Sequence, residues 1–204
     1  ERFCGVSYPR PDAGSYILLT FDGRSEEVTA NAARVRSLAL QNGALDFIEL
    51  SDARQCADIW RVRGALVKAV EAVSEQEPVD IVVPISRTAD FIRFINDLEA
   101  QSGMQMVSFG HAGDGNLHIY CCANDMELDE FKRRSKAVMD KCYAKCIEFG
   151  GQVSGEHAIG HAKKQYLVES VGETAFGLMQ AIKQVFDPKG ILNPGKVCTN
   201  VEEG

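Results

Sequence analysis

The chain has 204 residues and a formal net charge of −7, from 22 Lys+Arg against 29 Asp+Glu. This acidic balance argues against general affinity for nucleic acid or anionic lipid and favours small solutes as partners. Hydrophobic residues make up 45% of the chain and charged residues 25%, so disorder is not indicated. The length fits one large domain, or one domain with an appended subdomain.

The first hundred residues alternate apolar runs with helical patterns. Short apolar runs bounded by turn residues predict three strands, which are SYILLTFDG (15–23), ALDFIEL (44–50) and VDIVVPI (79–85). Apolar residues at helical spacing predict three helices, over residues 25–43, 57–76 and 87–103. Ser51 and Asp52 are placed to cap the second helix. The third helix has an apolar stripe, formed by Phe91, Ile92, Ile95 and Leu98.

The second half of the chain begins with two strands and continues mostly as helix. The strands are MQMVSFGHAG (104–113) and NLHIYCC (116–122), and the two long helices cover residues 128–151 and 172–188. The tail, DPKGILNPGKV (187–197), has the pattern of an ordered loop or a docking segment. This order predicts an α+β fold, in which helices cover one face of a mainly antiparallel sheet and a helical region follows from about residue 124 to residue 204.

The cysteines favour a reducing compartment. There are seven of them and no CxxC pair, so neither a disulfide framework nor a zinc ribbon is indicated. Cys142 and Cys146 share a helix face and are interpreted as buried packing residues. No apolar run approaches the roughly 20 residues of a membrane span, and the first residues lack a signal-peptide pattern. We therefore expect a cytosolic protein.

All four histidines fall within two short glycine-rich stretches, HAGDGNLH (111–118) and SGEHAIGH (154–161). In the first stretch, Asp114 and Gly115 lie between two apolar strands, which predicts a two-residue type I′ hairpin turn. That turn would set His111 directly opposite His118, on one face of the sheet and with Cβ atoms about 5 Å apart. The first stretch therefore predicts a pair of neighbouring imidazoles.

The second stretch adds a carboxylate and another imidazole, Glu156 and His157. Two histidines and one glutamate can hold a divalent cation and leave positions open for water or substrate, while His157 stays available to move a proton. Taken singly, a cross-strand histidine pair or a Glu-His step is more often a surface feature than a site. Together the two stretches favour a metal or active site, with His161 as a helix-face neighbour of His157.

Three motifs, GHAGDGNLHIY, SGEHAIG and DPKGILNPGKV, occur here in an order and at a spacing that resemble one family. It is the C-terminal, substrate-side domain of FAD-linked oxidases, a group that includes D-lactate dehydrogenases, D-2-hydroxyglutarate dehydrogenase and glycolate oxidase. In that family a flavin-binding domain precedes a ferredoxin-like α+β cap domain. The resemblance implies that residues 1–204 are the cap without the flavin domain, and that this chain alone is inactive.

The resemblance implies roles for four residues of the two stretches. His111, His118 and Glu156 would be ligands of a divalent metal, zinc or manganese. His157 would be the base that removes the substrate's hydroxyl proton while the α-hydrogen passes to the flavin as hydride. The FAD itself would be bound mainly by the preceding domain.

The resemblance also implies weaker assignments outside the metal ligands. Arg63 matches an arginine that holds the substrate carboxylate in some members, and Asn116 and Asn193 match positions near the flavin or the domain junction. A lysine that some members using dicarboxylates place just before the third strand has no counterpart at Pro78, and a threonine four residues past the arginine is Val67 here. Lactate or glycolate is therefore favoured over a 2-hydroxyglutarate-type substrate.

The leading hypothesis is the substrate- and metal-binding domain of an FAD-dependent D-2-hydroxyacid dehydrogenase. Its partners would be a small 2-hydroxy acid, the flavin-binding domain of the same parent chain, and an iron–sulfur subunit or electron-transfer flavoprotein as electron acceptor. It would be free in the cytosol or held at the inner membrane through those partners. Two alternatives remain open: a non-catalytic ferredoxin-like module that binds a metal or a carboxylate, and a free-standing metal hydrolase.

Overall fold

A computed structural model describes residues 2–6, 10 and 12–198 of the chain. These residues fall into two units, with the boundary between Ala69 and Val70. The first unit contains α1 (Ser25–Gln41), α2 (Ala53–Gly64) and most of α3 (Leu66–Glu71). The second contains, in order, β1 (Gln76–Val82), a 3-10 turn (Ile85–Arg87), α4 (Thr88–Ser102), β2 (Met106–His111), β3 (Asn116–Cys122), α5 (Leu128–Glu148), α6 (Lys164–Val171) and α7 (Glu173–Phe186). No helix in the described ranges is both long enough and apolar enough to cross a membrane.

The first unit confirms its predicted cap but not its predicted strands. Asp52 caps α2, because its Oδ1 accepts hydrogen bonds from the N–H groups of Arg54 at 2.9 Å and Gln55 at 3.0 Å. The strands predicted over 15–23 and 44–50 are wrong, since no sheet ladder forms there. A strand needs a neighbouring strand that pairs with its backbone N–H and C=O groups, and the described part of this unit contains none. Apolar side chains of the predicted strands, such as Ile17, are exposed. The helix predicted over 57–76 is divided into α2 and α3, with the break at Ala65, directly after Gly64, a poor helix former.

The sheet of the second unit has three antiparallel strands in the order β1-β3-β2. Every residue of the central strand, β3, is buried. Pro78 has no N–H to donate, and it is tolerated because β1 is an edge strand. The predicted α+β class with an antiparallel sheet is confirmed.

The two faces of this sheet carry different chemistry. The face toward α4 and α5 is apolar and forms the main core, with sheet residues Val79, Ile81, Leu117, Ile119 and Cys121. The apolar stripe predicted for α4 is confirmed, since Phe91, Ile95 and Leu98 are buried in this core and Ile92 packs against it. Cys142 and Cys146 are buried packing residues of α5, as predicted.

The opposite face is formed by the strand residues that alternate with those of the core. Asp80 pairs with His118 across β1 and β3, and Phe109 pairs with His118 across β2 and β3. Residues directly opposite one another share a face. Polar side chains therefore collect on the face of the sheet that turns away from α4 and α5, next to a small apolar cluster that includes Tyr120 and Cys122.

Candidate metal centre

The hairpin between β2 and β3 differs from the predicted one. His111 pairs with Asn116, so that residues 112–115 form a four-residue loop, and the type I′ turn with His111 directly opposite His118 is wrong. The loop is closed by the Asp114 N–H, which donates to the His111 carbonyl at 3.2 Å, and by Asp114 Oδ1, which accepts from the Asn116 N–H at 3.1 Å. Only Gly115 among the loop residues has a positive φ, at 77°.

A contact from outside the hairpin accounts for this loop. The Val83 N–H donates to the Gly115 carbonyl at 3.0 Å, and the Val83 carbonyl lies where a Cβ at residue 115 would stand. Glycine at this position thus lets the chain after β1 pack against the loop. Local turn preferences contain no information about such a contact.

The two histidines of the first stretch are nevertheless neighbours. His118 lies opposite Phe109, and His111 is two residues further along β2, so both rings lie on the same face of the sheet. Their ring centroids are 6.0 Å apart with the planes nearly perpendicular. His111 and His118 are therefore neighbours, as predicted, but they lie diagonally across the two strands instead of directly opposite each other.

The second stretch is delivered to this face by a bridge beside β1. Val82 and Gln152 exchange two backbone hydrogen bonds, of 2.8 and 3.0 Å, which fix the chain as it leaves α5. Glu156 then places Oε1 3.1 Å from His118 Nε2 and 3.9 Å from His111 Nε2. The His157 ring centroid lies 4.8 Å from that of His118. The four residues predicted for the site are thus brought together.

Sequence reasoning missed one residue, Asp80, whose carboxylate is completely buried. Its Oδ2 accepts hydrogen bonds from three successive backbone N–H groups, those of Gly155, Glu156 and His157, at 2.9, 3.2 and 2.9 Å. Burial alone would raise the pKa of Asp80, but the hydrogen bonds from His157 and Asn116 hold that pKa well below its usual range. An acidic residue inside the apolar run VDIVV was the signal available in the sequence.

Gly155 is required because the Asn116 side chain approaches its backbone closely. A Cβ at residue 155 would overlap the amide nitrogen of Asn116. We predict that Gly155→Ala lowers the free energy of unfolding by about 1–3 kcal/mol, the usual cost of overpacking. Gly177→Ala is the control, because nothing lies within 4 Å of that position in α7 and alanine favours a helix. Urea denaturation measures both, and equal stabilities of the two variants would contradict the prediction.

The electrostatics of His118 suit a metal ligand. Burial, and after it the neighbouring His157, lowers the pKa of His118, so its ring is neutral at neutral pH, as a metal ligand must be. Its Nε2 atom is buried and has no hydrogen-bond partner within the part of the chain that the structure describes. Oxygens of Glu156 and Asp80 lie 3.1 and 3.6 Å from this nitrogen. A cation beside Nε2 would therefore satisfy a buried atom that otherwise lacks a partner.

The spacing of the donor atoms also fits a metal ion. Two ligand atoms bound to one zinc lie about 3–4 Å apart, because each is about 2 Å from the ion. Glu156 Oε1 meets that spacing toward both His118 and His111, at 3.1 and 3.9 Å. Donor atoms of His118, Glu156 and His157 also lie within 4.8 Å of one another. The geometry thus offers a core of His118 and Glu156, and either remaining histidine can complete it.

The other predicted residues lie in different surroundings. Asn116 is buried and donates its amide N–H to Asp80 Oδ1 at 3.0 Å, while its amide oxygen has no hydrogen-bond partner among the described residues. Asn193 is exposed in the tail, with φ of 47°. Arg63 is exposed on α2 in the first unit. His161 lies in an exposed turn before α6, so its predicted place on a helix face beside His157 is wrong.

Comparison with known proteins identifies one matching family. A family model described as "FAD linked oxidases, C-terminal domain" matches residues 3–197. A D-lactate dehydrogenase of Anaerostipes hadrus is 47% identical over 97% of the chain and 43% of that protein. Glycolate oxidase subunit GlcD of Bacillus subtilis is 32% identical over 97% of the chain and 42% of that protein. A D-2-hydroxyglutarate dehydrogenase of Stutzerimonas stutzeri is 32% identical over 91% of the chain and 41% of that protein.

Proposed function

The chain belongs to the family of FAD-linked oxidase C-terminal domains, and from that premise we propose that it is the substrate- and metal-binding domain of an FAD-dependent D-2-hydroxyacid dehydrogenase. It spans less than half the length of the relatives named above, 43% of the first of them. The flavin-binding domain is therefore assigned to another part of the parent protein. The observation that carries the proposal is the convergence of His118, Glu156, His157 and His111 on one face of the sheet.

The donor set supports a divalent metal ion as the occupant of the site. The neutral ring of His118 and the carboxylate of Glu156 are the ligands for the metal, and His111 is proposed as the third. When bound, a divalent ion such as zinc or manganese supplies Lewis-acid attraction for the carboxylate and hydroxyl oxygens of the substrate, and FAD supplies the two-electron acceptor. His118 and Glu156 thereby orient the reacting carbon of the substrate.

His157 is proposed as the base. It takes the proton of the substrate hydroxyl. At the same time the C–H bond of the carbon that bears this hydroxyl breaks, and the hydrogen leaves with the electron pair. The carbon–oxygen double bond forms in the same step, so that the 2-hydroxy acid becomes a 2-oxo acid. The His157 side chain is exposed and thus accessible to a substrate, and its backbone N–H is bound to Asp80.

The substrate is proposed to be D-lactate or glycolate. The relative at 47% identity is named a D-lactate dehydrogenase, and the lysine expected for a second carboxylate is absent at Pro78. Arg63 remains the candidate for the substrate carboxylate, and Asn116 and Asn193 remain candidates for the flavin side. An iron–sulfur subunit or an electron-transfer flavoprotein is proposed to accept the electrons, and any association with the inner membrane would depend on such a partner.

Anaerobic reduction of the flavin tests this proposal. The full-length protein that carries this chain, purified with FAD, is mixed with D-lactate, glycolate, L-lactate or D-2-hydroxyglutarate. We expect D-lactate or glycolate to bleach the flavin absorbance and L-lactate to leave it unchanged. If dithionite reduces the flavin and none of the four acids does, the proposed activity is wrong.

A further inference from the structure

We propose that Asp80 is a positioning residue, whose buried carboxylate holds the segment 154–157 so that Glu156 and His157 face His118. That Glu156 and His157 bind metal and remove a proton rests on the proposed function. That Asp80 positions them rests on its hydrogen bonds to their backbone. Asp80 itself is neither a metal ligand nor a base. It acts through the residues that it holds.

The carboxylate of Asp80 joins the two histidine stretches. It lies in the middle of β1, opposite His118 on β3, and is completely buried. Its Oδ1 accepts the amide N–H of Asn116 at 3.0 Å, next to His118 Nε2 at 3.6 Å, and thus faces the first stretch. Its Oδ2 faces the second stretch and has five donors, which are the N–H groups of Gly155, Glu156 and His157, the Ser154 hydroxyl at 3.0 Å and the Lys163 ammonium at 3.3 Å.

No regular structure holds the second stretch in place. Residues 154–163 lie between the bridge at Gln152 and the start of α6, and they belong to no helix or strand. The Glu156 side chain is 55% exposed and His157 is exposed as well, so packing does not orient either of them. Three consecutive N–H groups that point at one oxygen form a concave nest. That nest fixes the backbone, and hence the directions in which the side chains of Glu156 and His157 leave it.

The ionic partner of Asp80 lies within the same network. Lys163 is buried, and its ammonium donates to the Asp80 backbone carbonyl at 3.0 Å and to Ser154 Oγ at 3.4 Å as well as to the carboxylate. A buried carboxylate is costly unless it is paired and hydrogen-bonded. Here most of its donors belong to the segment that carries the site. The hydrogen bonds that compensate for burying this charge therefore also order the segment 154–157.

The experiment compares Asp80→Asn with wild type in the full-length protein. The substitution keeps the shape of the side chain, but it removes the negative charge and replaces one of the two acceptor oxygens by an NH2 group, which can only donate. We expect amide exchange of residues 155–157 to accelerate, measured by hydrogen–deuterium exchange with mass spectrometry. Zinc affinity should fall about 10- to 100-fold, the usual cost of losing a residue that orients a metal ligand. At saturating zinc, kcat for the acid that reduces the flavin should fall at least about tenfold while KM changes less.

A second variant separates positioning from charge balance. Asp80→Asn alone leaves the buried ammonium of Lys163 without its carboxylate partner, which by itself lowers stability. The double variant Asp80→Asn/Lys163→Gln removes that ammonium too, so stability lost only through the unpaired charge is regained. Positioning predicts that zinc affinity and kcat stay low in this double variant. Recovery of both would overturn the proposal, and so would wild-type exchange, affinity and kcat in Asp80→Asn.

The control is Asp140→Asn on α5, which removes a carboxylate bonded to Lys136 and Tyr166. It should leave exchange of residues 155–157 and zinc affinity unchanged, and a loss equal to that of Asp80→Asn would overturn the proposal. If the wild-type protein oxidises no 2-hydroxy acid, the proposed function fails. The exchange and zinc measurements still decide the role of Asp80 in that case.

Discussion

We expect that replacing Glu156 by Gln lowers the zinc affinity of the protein by more than about 100-fold. Loss of a residue that only orients a ligand costs 10- to 100-fold, and loss of a ligand costs more. Oε1 of Glu156 lies 3.1 Å from His118 Nε2 and 3.9 Å from His111 Nε2, so this oxygen is central to the donor set. Glutamine keeps the size of the side chain and removes its charge. Competition with a chromophoric zinc chelator measures the change.

The matched control is Glu169→Gln, which neutralises an exposed glutamate on α6 of the same unit. Its zinc affinity should equal that of wild type. Comparison of His111→Ala with His157→Ala then identifies the third ligand, since the structure places both rings near His118. We expect the larger loss from His111→Ala. Unchanged zinc affinity in Glu156→Gln would show that no metal binds through this carboxylate.

We expect that replacing His157 by Ala in the full-length protein lowers the rate of flavin reduction by about 100- to 10,000-fold, the usual contribution of a positioned base. The ring that would take the hydroxyl proton lies beside His118, with centroids 4.8 Å apart. Because the substitution leaves Glu156 and His118 in place, zinc content and FAD content should stay at the wild-type level. Stopped-flow measurement of flavin bleaching at saturating D-lactate or glycolate gives the rate.

His161→Ala is the control for this second result. It removes the other histidine of the same stretch, which lies in an exposed turn. The rate of flavin reduction in this variant should stay within a few-fold of wild type. A His157→Ala protein that retains near-normal reduction would assign proton removal to another group, and equal losses in the two variants would point to a general effect of the segment.

Local sequence patterns predicted the parts of the structure that depend on local interactions. The helices and the cap at Asp52 follow from spacing and from a short-range hydrogen bond. The strands predicted over 15–23 and 44–50 failed, because strand formation depends on a neighbour that a sequence window does not contain. The two histidine stretches predicted that His111, His118, Glu156 and His157 would meet, because such a concentration of chemical groups is a signal that does not depend on exact register. His161 is the exception, since it lies in an exposed turn.

The geometry of the site depended on contacts between distant parts of the chain. The hairpin register follows from Val83 packing against Gly115, and the position of Glu156 and His157 follows from Asp80, which lies 75 to 77 residues before its three backbone donors. Within VDIVV, Asp80 looks like a polar interruption in an apolar strand. Only the folded chain shows which donors surround it.

The register of the central strand, β3, determines both the packing of the core and the assembly of the site. Leu117 and Ile119 face the apolar core, and the residues that alternate with them, Asn116 and His118, face the site. A slip of one residue would exchange the two sets, placing an imidazole among the apolar core residues and isoleucine among the polar groups of the site. Such a misfolded form would lack stability as well as activity. The ordinary removal of unstable proteins in the cell would therefore also remove copies in which the side chains of the candidate site lie on the wrong face.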